Sequence, residues 1–387
     1  MFNAIAINAS ALRRQILHAM AAESGMLMLA KATDGYPLEE EIERLAPRQG
    51  LDVLFLDLED PGQAYRCLSA LKATVPQVPV VGIGGKSSQQ KNLGMLGVGH
   101  FLPFPPDTTS FSQTLAAAIR SHDDSPLADL FAFMPAKAGC GASTIALSAS
   151  VALAEGLRSH VLCMEADLAS GVLSMLVDQE PHGTTQGALA SAYELDKFRW
   201  TECVTQHLGV DFLLSATDPQ PLLVDWSHYF ALVRFVAHKY EATVVDLPQL
   251  INDASVELVR RAARVFIVTS QEPPSVQLAR RRVRELASWG VPEERVELLV
   301  NRWHRNEMPA DNIAEYVGRP VAQVFANEYL TVRPAKLGRN LPLSPKTPFG
   351  HAVAEFAHRL AGVPMEIEAP QGSSRLTGLL RGLVSRA

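Results

Sequence analysis

A chain of 387 residues exceeds one ordinary domain, so two domains are expected. Its 47% hydrophobic and 20% charged residues fit a soluble globular protein with a sizeable core. A formal net charge of -6 argues against nucleic acid as a partner held by overall charge, leaving only a local basic patch for that role.

The N-terminus, "MFNAIAINASALRRQ", has no basic region followed by a long apolar one, so no signal peptide is expected. "FNAIAIN" reads as a strand and "SALRRQILHAMAAE" has helical spacing. "LDVLFLDL" is a buried strand, "PGQAYRCLSALKATV" a helix, "VPVVGIGG" a strand, "HFLPFPP" a short strand and "TTSFSQTLAAAIRSH" a closing helix. Such alternation predicts a parallel sheet covered by helices on both faces. The polar stretch "SHDDSPLAD" then reads as a linker.

Alternation resumes at about Leu130. "LFAFMPA" is a strand and "STIALSASVALAEGL" a helix; "HVLCMEAD", "VDFLLSA", "ATVVDLP", "RVFIVTS" and "RVELLVN" are further strands with helices between them. The fold class is α/β, with two doubly wound parallel-sheet domains. No apolar run approaches the ~20 residues that span a bilayer. Cys67, Cys140, Cys163 and Cys203 lack C-x-x-C spacing and read as reduced cytosolic thiols. The eleven histidines form no H-x-x-x-H cluster, so no structural metal is expected.

The chemistry concentrates at Ala136–Ser143, "AKAGCGAS". A P-loop reads G-x-x-x-x-G-K-[ST]. Gly139, Gly141 and Ser143 fit it, while Ala136 replaces the first glycine and Ala142 the lysine. On that pattern alone, a strand-to-helix glycine turn without a ligand is an equal alternative. Lys137 changes the comparison. The run Lys137-Ala138-Gly139-Cys140-Gly141-Ala142-Ser143-Thr144 resembles the deviant Walker loop of the MinD/ParA ATPases, which carries a signature lysine near its start. The resemblance implies ATP and Mg²⁺ as ligands, with Lys137 reaching a partner's phosphates in a nucleotide-sandwich homodimer. Backbone N–H groups and the helix N-terminus would still form an anion site, and the Ser143 hydroxyl could still face Mg²⁺. Ala142 removes the cation that the same chain would bring to the β- and γ-phosphates.

Further landmarks resemble that family in order. "VLCMEADLASG" is similar to its strand and switch segment, with Glu165 and Asp167 at two acidic positions and Asp167 expected to position water. A surface turn carrying two acids is the alternative. "YEATVVDLPQ" ends a strand in Asp246, similar to a Walker B carboxylate that orients the Mg²⁺ shell through water; a helix cap is the alternative. "VELLVNRW" carries Asn301, similar to the family's adenine-contacting asparagine. In "VFANEYLTVRPAKLGRNLPLS", Ala326–Glu328 is an adenine-edge candidate, and the rest, with Arg333 and Gly338 before "LPLS", looks like the family's late helix.

In the front half, "LDVLFLDLEDPG" resembles the third strand of a response-regulator receiver, with Asp57 at the phosphoacceptor position. The cation cage is missing. Asn8 stands where an acidic pair should follow the first strand, Gly84 replaces the Ser/Thr, and Phe104 replaces the lysine. Asp57 is therefore read as an inactive or structural acid. An atypical receiver joined to a MinD/ParA-like domain with "GASTIAL" is the layout of the CpaE/TadZ proteins of Flp (tight adherence) pilus assembly.

The expected domains are a receiver-like one at 1–122, a linker at 123–129, the MinD/ParA-like domain at 130–362, a linker at 363–374 and an amphipathic helix at 375–387. In that helix Leu376, Leu379, Leu380, Leu383 and Val384 share a face, and Arg375, Arg381 and Arg386 add positive charge. This composition suits a membrane surface, or equally a docked helix. The resemblance implies an ATP-binding, dimerising localisation factor with slow hydrolysis at most. It would work with pilus or secretion machinery, cytoplasmic and peripheral to the plasma membrane at a site such as a pole. The alternatives are a ParA-type partition ATPase and a scaffold with a dead nucleotide site.

Overall fold

The computed structural model describes residues 2–45, 51–85, 90, 93–94, 97–122, 126–218, 224–328 and 346–365. The front half contains β1 (Phe2–Ile7), α1 (Ala11–Ser24), β2 (Leu27–Ala32), α2 (Glu39–Leu45), β3 (Val53–Asp57), α3 (Pro61–Thr74), β4 (Val80–Ile83), β5 (His100–Leu102) and α4 (Thr108–His122). Its five strands are parallel in the order β2-β1-β3-β4-β5, the flavodoxin-like doubly wound order. Every residue of β3 is buried, because helices cover both faces of a central parallel strand. Alternate residues serve opposite cores. Val53 and Phe55 join Leu17, Phe111 and Leu115, whereas Leu54 and Leu56 join Leu68 and Leu71. The first of these cores also takes in Phe230 from the back half.

The back half contains β6 (Leu127–Pro135), α5 (Ala142–Ala154), β7 (Val161–Glu165), α6 (Leu173–Val177), α7 (Thr185–Ala190), α8 (Lys197–Cys203), β8 (Thr205–His207) and β9 (Val210–Leu213). It continues with α9 (Trp226–Ala237), β10 (Ala242–Asp246), α10 (Val256–Arg261), β11 (Ala262–Ser270), α11 (Pro273–Ser288), β12 (Val296–Trp303), α12 (Ala310–Val317), β13 (Val321–Ala326) and α13 (Pro348–Ala361). Eight strands form a second sheet in the order β13-β12-β11-β6-β10-β7-β9-β8, parallel except for the β8–β9 hairpin. Gly362, left-handed at φ 69°, caps α13.

The structure corrects one expectation and adds three strands. Leu127–Asp129 is strand rather than linker, because Ala262 of β11 pairs with Leu127 and extends the sheet. Val321–Ala326 forms β13, an edge strand on β12 that the sequence pattern does not announce. The edge strands β2 and β8 were not predicted at all; each pairs on one side only, so its apolar signal is weak. Arg333, Gly338, the 375–387 helix and most of the preceding linker lie outside the described residues.

The two halves meet through aromatic packing. The Phe2 ring lies 5.6 Å from Phe230 and 5.8 Å from Tyr193, both edge-on. The Arg120 guanidinium sits 4.3 Å over Trp226 and 3.4 Å from the buried Glu257. Arg234 reaches back to Asp52 at 3.2 Å. No described helix is long and apolar enough to cross a membrane.

Candidate functional site

β6, β10 and β7 are neighbours in register, so their C-terminal ends bring the loop after Pro135, Asp246 and Glu165 to one edge of the sheet. Ligands of doubly wound sheets bind at such an edge. The loop runs from Ala136 to Gly141, and α5 starts at Ala142. Two left-handed glycines shape it, Gly139 at φ 76° and Gly141 at φ 96°. A Cβ on Gly141 would strain the left-handed backbone and push the Asn301 amide aside, so glycine is favoured between the loop and β12. The α5 N-terminus has no side-chain cap, and its first backbone N–H groups are left for an anion.

A cavity of about 450 Å³ opens above this loop. Ala138, Gly139, Cys140, Gly141, Ala142, Ser143 and Thr144 form one wall, and Asp167, Asp246, Gln249 and Arg302 face it. Ala142, only 5% exposed, places a methyl group where a standard loop would place an ammonium. Asp246 is 3% exposed and its Oδ1 has no hydrogen-bond partner. Burial pushes its carboxyl up to about 8, and a hydrogen bond from Ser143 acts in the opposite direction. A buried carboxyl with one oxygen unpartnered, beside a serine hydroxyl, fits a hydrated Mg²⁺, and the glycine cradle at the uncapped α5 N-terminus fits a polyphosphate.

The two switch acids differ in their surroundings. Glu165 is buried, accepting from Leu173 N at 2.7 Å and Ser215 N at 2.9 Å. Burial raises its pKa, with those backbone donors opposing the shift. It pins the switch segment, and Gly171 packs so closely on it that a Cβ would collide with the carboxylate. Asp167 lines the cavity, and its carboxylate accepts from Ala169 N, Ser170 N and Ser170 Oγ at 2.7–3.1 Å. Releasing that turn would free Asp167 to hold water.

Lys137 stands at the loop's outer side in an ion pair with Glu272, the residue before α11. Asn301 lies beneath the loop, 9% exposed, and donates from Nδ2 to Cys140 O at 2.8 Å. Contact with a base would require that amide to leave the carbonyl. Arg302, at φ 55°, donates from Nη2 to Gly139 O at 2.7 Å. Glu272 and Arg302 were not singled out in the sequence. The available signal was position, since Glu272 lies just past the C-terminal end of β11 and Arg302 near that of β12, on the same sheet edge as the loop. Asn327 contacts His304 at 2.6 Å, and Glu328 accepts from Phe349 N at 2.8 Å, which ties the end of β13 to its neighbours.

In the front half, Asp57 is 1% exposed at the end of β3 and is ion-paired with Arg13 of α1. Its Oδ1 accepts from Glu59 N at 2.7 Å. Asn8, left-handed at φ 58°, follows β1, where an acid would be needed to share a metal. A guanidinium thus neutralises Asp57 from the same chain.

No protein-family profile matches the chain, and no curated protein does. Solved structures do match. A ParA family ATPase from Chlorobium tepidum is 23% identical, with 59% of this chain and 98% of that one covered and a TM-score of 0.54. MinD in a MinC:MinD cell division complex from Aquifex aeolicus is 18% identical, with 62% and 99% covered and a TM-score of 0.53. The cell division ATPase MinD from Pyrococcus furiosus is 19% identical, with 61% and 99% covered and a TM-score of 0.50. Over about 60% of its length the chain has the fold of the MinD/ParA ATPases.

Proposed function

We propose that the protein is an ATP- and Mg²⁺-binding localisation factor of the CpaE/TadZ type, dimerising with nucleotide and turning it over slowly if at all. The observation that carries this reading is the loop itself. Its glycines and the α5 N-terminus form a phosphate cradle beside Ser143 and Asp246, whose Oδ1 has no partner, while Ala142 withholds the in-cis cation. Ser143 would face Mg²⁺ directly and Asp246 through water, Asp167 would orient the attacking water, and Lys137 would leave Glu272 for the partner's phosphates. Bound Mg²⁺ would neutralise charge on the terminal phosphates. Removing one stabilising contact to a transferring phosphoryl group typically costs about 10²–10³ in rate, which supports binding without rapid turnover.

The atypical receiver supports the pilus-assembly branch, since an acid neutralised by Arg13 leaves a domain suited to docking rather than phosphotransfer. A homodimer, contacts with pilus or secretion proteins, and peripheral attachment through 375–387 belong to the same proposal. Calorimetric titration with Mg·ATP tests the site. Binding with turnover that rises in Ala142→Lys supports the reading. Absence of binding favours a scaffold, and ATP-dependent co-sedimentation with DNA favours a partition ATPase. Loss of surface pili on deletion, in a cell carrying tight-adherence machinery, tests the cellular role.

A further inference from the structure

The cavity lining poses a charge problem. The Asp167 carboxylate faces it, a nucleotide would bring several negative charges, and the buried Asp246 carboxyl offers no cation. Ala142 offers none in return, and Lys137 lies outside the lining, paired with Glu272. Among the described residues, Arg302 alone brings a cation to the lining. It is placed there at a conformational cost. Its φ of 55° is uncommon for a side-chain-bearing residue, and Asn301 Oδ1 holds the turn by accepting from Arg302 N at 2.9 Å. One of its donors is used on Gly139 O at 2.7 Å, and a guanidinium has five. Glu272 pairs with Lys137, whose hydrogen bond is the main cause of its lowered pKa, and the Arg302 charge adds to that lowering.

We infer that Arg302 is the surrogate for the missing loop lysine, holding the nucleotide's phosphates from β12 instead of from the α5 N-terminus. This rests on the ATP-site reading above and adds the residue that makes it electrostatically workable. A planar fork of donors suits phosphate oxygens better than a single point charge does. Its second role, on Gly139 O, keeps the guanidinium near the cradle before nucleotide arrives.

The test is calorimetric titration of the full chain with Mg·ATP, comparing the parent, Arg302→Asn, and Arg302→Asn combined with Ala142→Lys. Asparagine removes the charge yet tolerates left-handed φ, so the backbone turn is kept. Arg302→Asn should weaken ATP binding by about 10- to 100-fold, the range for a charge-assisted contact. Adding Ala142→Lys should restore most of it, because the cation then returns by the usual route. A residue that only braced Gly139 could not be rescued from position 142. Equal ATP affinity in the parent and Arg302→Asn, or no recovery in the double variant, overturns this inference alone. A parent that binds no ATP overturns the nucleotide-site reading and this inference with it.

Discussion

Replacing Arg13 with alanine strips the one counter-ion of the Asp57 carboxylate among the described residues. Asp57 is 1% exposed, and its Oδ1 already accepts from Glu59 N, so the burden falls on Oδ2, which faces Arg13. Removing one partner of a buried pair costs about 3–5 kcal/mol. The Arg13 side chain is 20% exposed, so water reaches part of the vacated space and about 2–3 kcal/mol is the better figure. With a urea slope of about 1–3 kcal/mol/M for a domain this size, the front-half transition of the full chain should move down by about 1–2 M. Arg13→Ala combined with Asp57→Asn should recover most of that loss, since a neutral amide needs no counter-ion. A shift below about 0.3 M in the single variant, or no recovery in the double, refutes the reasoning.

Gly141→Ala should lower ATP affinity by more than about tenfold, because it forces a left-handed alanine against the Asn301 amide; an unchanged titration would refute the close approach. At Asp225, burial would raise the carboxyl, but hydrogen bonds from His228 and Ser227 outweigh it and bring the pKa down to about 2. Asp225 caps α9, so Asp225→Ala should cost about 1–2 kcal/mol near neutral pH. Because the folded pKa lies below the unfolded one, that contribution is present above about pH 4 and lost as pH falls through about 2, so parent and variant urea midpoints should converge over that window. A gap that stays constant across it would refute the assignment. A chain ending at Pro370 should bind ATP normally and fail to co-sediment with anionic liposomes, and equal lipid binding by the two chains would assign the 375–387 segment to protein docking instead.

What the sequence revealed follows burial and local geometry. β3 and β10, and β11 from Val265 onward, are buried on both faces, so they read as near-continuous apolar runs. The loop was legible because its conformation demands glycine at 139 and 141. β2, β8 and β13 are paired on one side only, and the burial of β2 and β13 is broken by exposed or half-exposed positions, so their patterns are short and mixed. In the site, Asp167 and Asp246 could be placed from single strand ends. Arg302 and Glu272 could not, because their roles arise when β11 and β12 lie side by side against a loop more than a hundred positions earlier. The same holds for Arg13. A missing metal cage at Asp57 can be read residue by residue, but the arginine that replaces it is defined only by the packing of α1 on the sheet.

The central claim is that a loop lacking its in-cis lysine still binds nucleotide and uses it to assemble rather than to turn over. Sedimentation velocity of the full chain across a Mg·ATP titration, with phosphate release followed on the same samples, tests it most directly. The account predicts a saturable shift from monomer to dimer with phosphate release far slower than the shift, and no dimer for Lys137→Ala. A chain that stays monomeric at saturating Mg·ATP, or that hydrolyses ATP rapidly with Ala142 in place, would contradict it.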